Sequence, residues 1–204
     1  TTKVIRPLLF LTQIYFCLFY NDTDQFDVRM MDTCCTHAWC FGGYFCGPCA
    51  AYYTRYRILG DTLKGYSCCQ GYNNCQPCFT AGRCGEKDCP QLCLCLESFC
   101  CLGCSVSTSR IYMMDKYDLM SDPCDNRMIR FINCMSCISC ICDVIAMFDS
   151  SFENCADLCR LIVECMYHCA IGCMVAQVLH EVDVRNDPSM KYAVATPLMD
   201  DYRD

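Results

Sequence analysis

Histidine and tryptophan are scarce in this chain, with 3 and 1 in 204 residues. With three imidazoles in all, histidine can supply single nitrogen ligands. Basic residues are also few: 16 Lys and Arg stand against 23 Asp and Glu, for a net charge of −7. That balance excludes the basic face by which a protein grips nucleic acid. There is no GxSxG, no HExxH, no phosphate-binding glycine loop and no pair of carboxylates in a recognisable catalytic frame. The expectation is a protein without an enzymatic reaction. Alternating strand patterns of consequence are missing too, which points to an all-α fold. No uncharged run reaches the roughly 20 residues that cross a bilayer; residues 7–20 give 14 and residues 131–142 give 12. These runs, with residues 165–180, read as buried core helices. For the arm at 7–20, apolar around nearly its whole circumference, contact with a membrane surface is the alternative reading.

What is abundant is cysteine. The chain has 27, about 13% of its residues and above the roughly 8–10% that marks a scaffold built on sulfur. An odd number leaves at least one thiol unpaired within the chain. No cleavable secretory signal is expected: Lys3 and Arg6 precede an apolar run, but Phe19, Tyr20, Asn21 and Asp22 follow where small residues would stand. The spacing Asn21-Asp22-Thr23 is the one hint of secretion. The compartment therefore reads as cytoplasmic and reducing, with thiols serving as metal ligands instead of disulfides.

The spacings support that chemistry. Cys46-x2-Cys49, Cys75-x2-Cys78, Cys101-x2-Cys104 and Cys134-x2-Cys137-x2-Cys140 each let two sulfurs of a turn reach one ion at about 2.3 Å. Adjacent pairs, Cys34-Cys35, Cys68-Cys69 and Cys100-Cys101, join these sets. Cys40, Cys84, Cys89, Cys93, Cys95, Cys124 and Cys142 are further candidate ligands, as are Cys155, Cys159, Cys165, Cys169 and Cys173, which repeat along one helical stripe. His37 and His168 are the candidate nitrogen ligands. Several Zn²⁺ ions per chain are expected, some sharing sulfurs. Four thiolates on one zinc leave a net charge of about −2, and Arg83, Arg110, Arg127, Arg130 and Arg160 are placed to screen it. Iron–sulfur is the rival at Cys134–Cys140, and copper(I) stays open on ligand type alone. Phe45-Cys46-Gly47-Pro48-Cys49 is similar to the thioredoxin redox motif, but no alternating β-elements surround it.

Three zones organise the chain: an apolar arm at 1–31, a cysteine-rich domain at 32–150, and at 151–204 an appended cysteine-bearing helix with an acidic tail. Asp122-Pro123 reads as a helix cap followed by proline at the first position. Ser150 with Glu153 reads as a capping box, opening a helix that stops before Asn186-Asp187-Pro188. Gln91–Cys104 and Thr108–Tyr117 are expected as shorter helices. Thr62–Asp88, with four glycines, is expected as loop. The fold expected is thus a small helical domain with long cysteine-rich loops tied by several metal sites.

Residues 32–150 resemble the placenta-specific-eight family, which includes the cell-number-regulator and plant-cadmium-resistance proteins. The match rests on Asp32-Thr33-Cys34-Cys35, Cys46-Gly47-Pro48-Cys49 and the helix end Tyr56-Arg57-Ile58-Leu59-Gly60. It continues through Arg110, Lys116-Tyr117-Asp118-Leu119, Asp122-Pro123-Cys124-Asp125 and Cys134–Cys142, with residues 61–89 as an insertion. The resemblance implies a cytosol-facing protein tied to membranes or metal handling, with self-association in some members. The leading expectation is a non-catalytic zinc-thiolate scaffold acting through protein partners or metal homeostasis. The alternatives are a membrane-associated heavy-metal transporter or sensor, and a thiol oxidoreductase using Cys46 and Cys49.

Overall fold

The computed structural model describes residues 24–33, 37–60, 62–72, 81–82 and 85–185. Among these described residues six α-helices carry the fold: α1 (Trp39–Phe45), α2 (Gly47–Leu59), α3 (Pro90–Cys100), α4 (Leu102–Tyr117), α5 (Pro123–Phe148) and α6 (Glu153–Val184). Two short strands, β1 (Asp24–Gln25) and β2 (Leu119–Met120), pair in parallel, Asp24 with Leu119 and Gln25 with Met120. The fold is all-α.

Cysteines make the corners. Cys46 closes α1 by donating its N–H to the Gly42 carbonyl, and its own carbonyl accepts from Ala50 to open α2. Cys101 does the same between α3 and α4, bonding Glu97 and Ser105. The α3–α4 corner bends by 115°. The break falls at Cys101, earlier than the residue 104–108 gap expected from the pattern. Pro48 and Pro90 lie in the first turns of α2 and α3, where a missing N–H costs nothing. Asp122 caps α5 as expected, its carboxylate accepting from the Cys124 N–H at 2.7 Å. The next cap differs from the expectation. Asp149, not Ser150, accepts from Ser151 N–H at 2.9 Å, and a 3₁₀ turn at Ser150–Phe152 precedes α6. The aspartate one residue earlier caps the 3₁₀ turn, so the chain enters its helical conformation before Ser150 can act as the N-cap. Within the expected 62–88 loop, Cys68–Gly71 forms a 3₁₀ turn.

The core lies where α6 meets α1, α2, α4 and the first turns of α5. Ala170–Leu179 of α6 is buried there with Ala50, Ala51, Val106, Ile129 and Ile132. Gly43 and Gly172 let α1 and α6 touch backbone to backbone: a Cβ on Gly43 would lie 2.6 Å from Gly172 Cα, and one on Gly172 would lie 2.4 Å from the Cys40 carbonyl oxygen. Small residues of this kind permit helix approaches that side chains forbid.

Two buried ion pairs sit beside that core. Arg55 donates to Glu97 Oε1 at 3.3 Å and to the Ser105 carbonyl at 3.0 Å. Arg110 donates to Asp125 Oδ2 at 2.7 Å, to Gln177 Oε1 at 3.0 Å and to Ser121 Oγ at 3.1 Å. All four charged side chains of these pairs are fully buried. Arg110 therefore serves the core and screens no thiolate cluster.

The hairpin formed by α5 and α6 corrects the reading of residues 131–142 as a buried helix. Asp125, Ile129, Ile132, Ser136, Ser139 and Asp143 are the buried positions of α5, while Phe131, Ile141 and Phe148 are 56%, 59% and 86% exposed. Much of the inward face is polar or small and the outward face apolar, the reverse of an ordinary surface helix. Helices Pro123–Phe148 and Ser150–Val184 are both long and apolar enough to cross a membrane. The run at 131–142 looked too short because Arg130 and Asp143 bound it, and Asp143 is buried against Arg160. The arm at 7–20 and the Asn21-Asp22-Thr23 acceptor lie outside the described residues.

A candidate metal centre at the hairpin turn

Near the α5–α6 turn, the sulfurs of Cys142, Cys155 and Cys159 all lie within 4.8 Å of one another. Cys155 and Cys159 are four residues apart on α6, so one helical turn stacks them on a single face. Cys142 comes from the last turns of α5, brought alongside by the tight connection at 149–152. Cys155 is exposed and the other two are half-buried, so solvent reaches the group from one side.

The register of the hairpin is fixed by ions next to the sulfurs. Arg160, adjacent to Cys159, donates to Asp143 Oδ1 at 2.5 Å and to Asp157 Oδ1 at 2.9 Å. Asp143 is adjacent to Cys142. Arg160, expected to screen thiolates, instead directs its charge to these two carboxylates, and its bond to Asp143 ties the two ligand-bearing helices together. Three thiolates at the observed spacing fit a metal ion: about 2.3 Å bonds to one centre require sulfurs roughly 4 Å apart, within the reach of small side-chain rotations.

The other candidates are distributed differently. Cys40 and Cys173, both buried, meet with sulfurs 3.9 Å apart across the α1–α6 contact. Cys46 and Cys49 are exposed at the start of α2 and hydrogen-bonded, which pushes the Cys49 thiol up from its ordinary range. Cys69 is hydrogen-bonded to Cys104, and that bond together with burial raises its thiol well above the usual value. Cys68 is raised too, chiefly by burial. Both backbone N–H groups of this adjacent pair are held by buried carboxylates, Cys68 by Glu86 and Cys69 by Glu97, each at 2.9 Å. Cys69 and Gln70 take positive φ of 48° and 46° there.

Among the described residues these sulfurs form no second group of three. Cys134, Cys137 and Cys140 lie on continuous helix α5, not in a loop, which removes the knuckle that the two-residue spacing implied. Cys89, Cys93, Cys95, Cys100, Cys101 and Cys124 likewise join no such group. Cys165 bonds the Tyr44 hydroxyl at 3.6 Å, and Cys169 is exposed one turn further on. His168 turns its Nδ1 to the Glu164 carbonyl at 2.8 Å, and His37 faces Asp183 at 3.7 Å with its ring edge-on to His180. Neither histidine is part of the three-sulfur group. Cys34, Cys35, Cys75, Cys78 and Cys84 lie outside the described residues.

The grouping across the turn was not legible beforehand: Cys142 read as the end of the α5 series and Cys155 as the start of another. The one available signal was the Asp143–Arg160 pair, opposite charges each following a cysteine. No family model, no curated protein and no solved structure matches this chain.

Proposed function

We propose that this is a non-catalytic metal-thiolate protein that works in metal homeostasis, with the α5–α6 hairpin holding its exchangeable ion. The observation that carries this reading is the convergence of Cys142, Cys155 and Cys159. Zn²⁺ is the proposed resident ion; three thiolates would hold it with a fourth position open to solvent, as in sites that exchange a ligand. The resemblance of residues 32–150 to the placenta-specific-eight family supports metal handling at a membrane. The apolar outward face of α5 supports the same location, with the body on the cytosolic side and self-association as the partner chemistry. A heavy-metal transporter or sensor is the active form of this proposal.

The test is elemental analysis of protein purified without chelator, compared with the C142S/C155S/C159S variant. The proposal expects the variant to carry one ion fewer per chain and to remain folded. Equal metal content in the two proteins would refute it.

A second reading is favoured by one observation, the two exposed thiols Cys46 and Cys49 held in hydrogen-bond contact with each other at the start of α2. A thiol oxidoreductase would lose insulin-disulfide reduction in a C46S variant that still binds its full complement of metal.

A further inference from the structure

The class of ion that suits the hairpin site follows from charge. Residues 141–164 contain Asp143, Asp149, Glu153, Asp157 and Glu164, against Arg160 as the sole cation. Arg160 is already engaged by Asp143 and Asp157. Three thiolates around a monovalent ion leave a complex of charge −2, and around a divalent ion −1; both add anionic charge to a region already in excess of it. A trivalent centre leaves a neutral complex. Three sulfurs within 4.8 Å of one another, with one exposed member, also suit a pyramidal centre whose fourth direction is a lone pair facing solvent.

We propose that Cys142, Cys155 and Cys159 bind a trivalent thiophilic oxyacid, arsenite, in preference to a divalent ion. The proposal rests on the metal-thiolate reading of the same three residues. The step is a condensation: As(OH)₃ and three thiols give As(S–Cys)₃ and three waters. Three As–O and three S–H bonds break, three As–S bonds form, and each hydroxide leaves with a thiol proton. Arsenic stays trivalent, so no oxidant or reductant is consumed. Neutral reactants give neutral products, whereas zinc must displace thiol protons.

The experiment uses the reduced, zinc-loaded full chain titrated with sodium arsenite. Zinc release is followed with a chromophoric chelator and arsenic retention by elemental analysis after gel filtration. The expected result is one zinc displaced by the first equivalent of arsenite, lost in C142S/C155S/C159S and kept in a C134S/C137S control on the same helix. C155S alone, at an exposed position, repeats the test should the triple variant unfold. Arsenite uptake unchanged in C155S, or a site zinc that arsenite does not displace, overturns the inference while leaving zinc binding intact. If zinc content is also unchanged by the substitutions, the metal-site reading itself falls.

Discussion

Arg160 reaches from α6 to Asp143 on α5 at 2.5 Å, and each of the two directly follows a sulfur of the three-cysteine group in sequence. The ion pair and the candidate ligands are thus one unit, since sliding either helix by a turn separates both at once. Arg160→Gln should weaken metal binding by about tenfold, the usual size of an effect transmitted through a ligand's neighbour. Arg160→Lys should recover part of it. Competition against a zinc chelator reads both, and equal affinities in all three proteins would dissociate the pair from the site.

Buried charges give the largest expected stability losses. Glu97 accepts from Arg55, from Tyr66 Oη at 2.8 Å and from Cys69 N–H, with no exposure to solvent. Glu97→Ala strands a buried guanidinium and should cost about 3–5 kcal/mol, and Asp125→Ala should do the same to Arg110. Denaturant titration followed by circular dichroism measures this, and a loss under about 1 kcal/mol would show that solvent reaches these sites.

The α1–α6 contact is intolerant of even a methyl group. Gly172→Ala and Gly43→Ala place a Cβ against backbone, 2.4 Å and 2.6 Å away, so a helix must move; about 1–3 kcal/mol is expected. Gly42→Ala meets only the Trp39 ring at 3.0 Å, a side chain that can yield, and should cost less. Thermal unfolding of the three variants ranks them.

Alkali should destabilise the metal-free protein. Cys68, Cys69 and Tyr66 hold their protons above the ordinary range because of burial and their partners. The folded state therefore binds more protons than the unfolded chain once pH passes the free cysteine value. The stabilisation from the two thiols is complete below that value and is lost as pH rises above about 8.5, with Tyr66 adding its share near pH 10. Stability measured across this range in wild type and in C69S should converge as pH increases. The same protonation makes Cys69 slow to alkylate, well behind exposed Cys155.

The parts of the fold written in local chemistry were legible in the sequence. Asp122-Pro123 announced α5, and the stop before Asn186 matches the end of α6 at Val184. Long-range assembly was less legible. Two-residue cysteine spacings suit a loop knuckle and a helix equally, and the helix prevailed at Cys134–Cys140 because no glycine or proline interrupts it. The burial of Arg55, Glu97 and Asp125 depends on partners 15 or more residues away, which no local pattern reveals. The three-cysteine group depends on how tightly residues 149–152 turn, a property of Asp149 more than of any cysteine.

Single-residue corners at Cys46 and Cys101 leave no slack between the helices they join. An extra residue at either position would swing the following helix by about 100° and advance it by about 1.5 Å. At Cys46 that would carry Arg55 away from Glu97, and at Cys101 it would take the Ser105 carbonyl away from Arg55. Length variation among any relatives of this chain should accordingly be confined to connections such as residues 61–89, while the two cysteine corners keep a constant count of residues on either side.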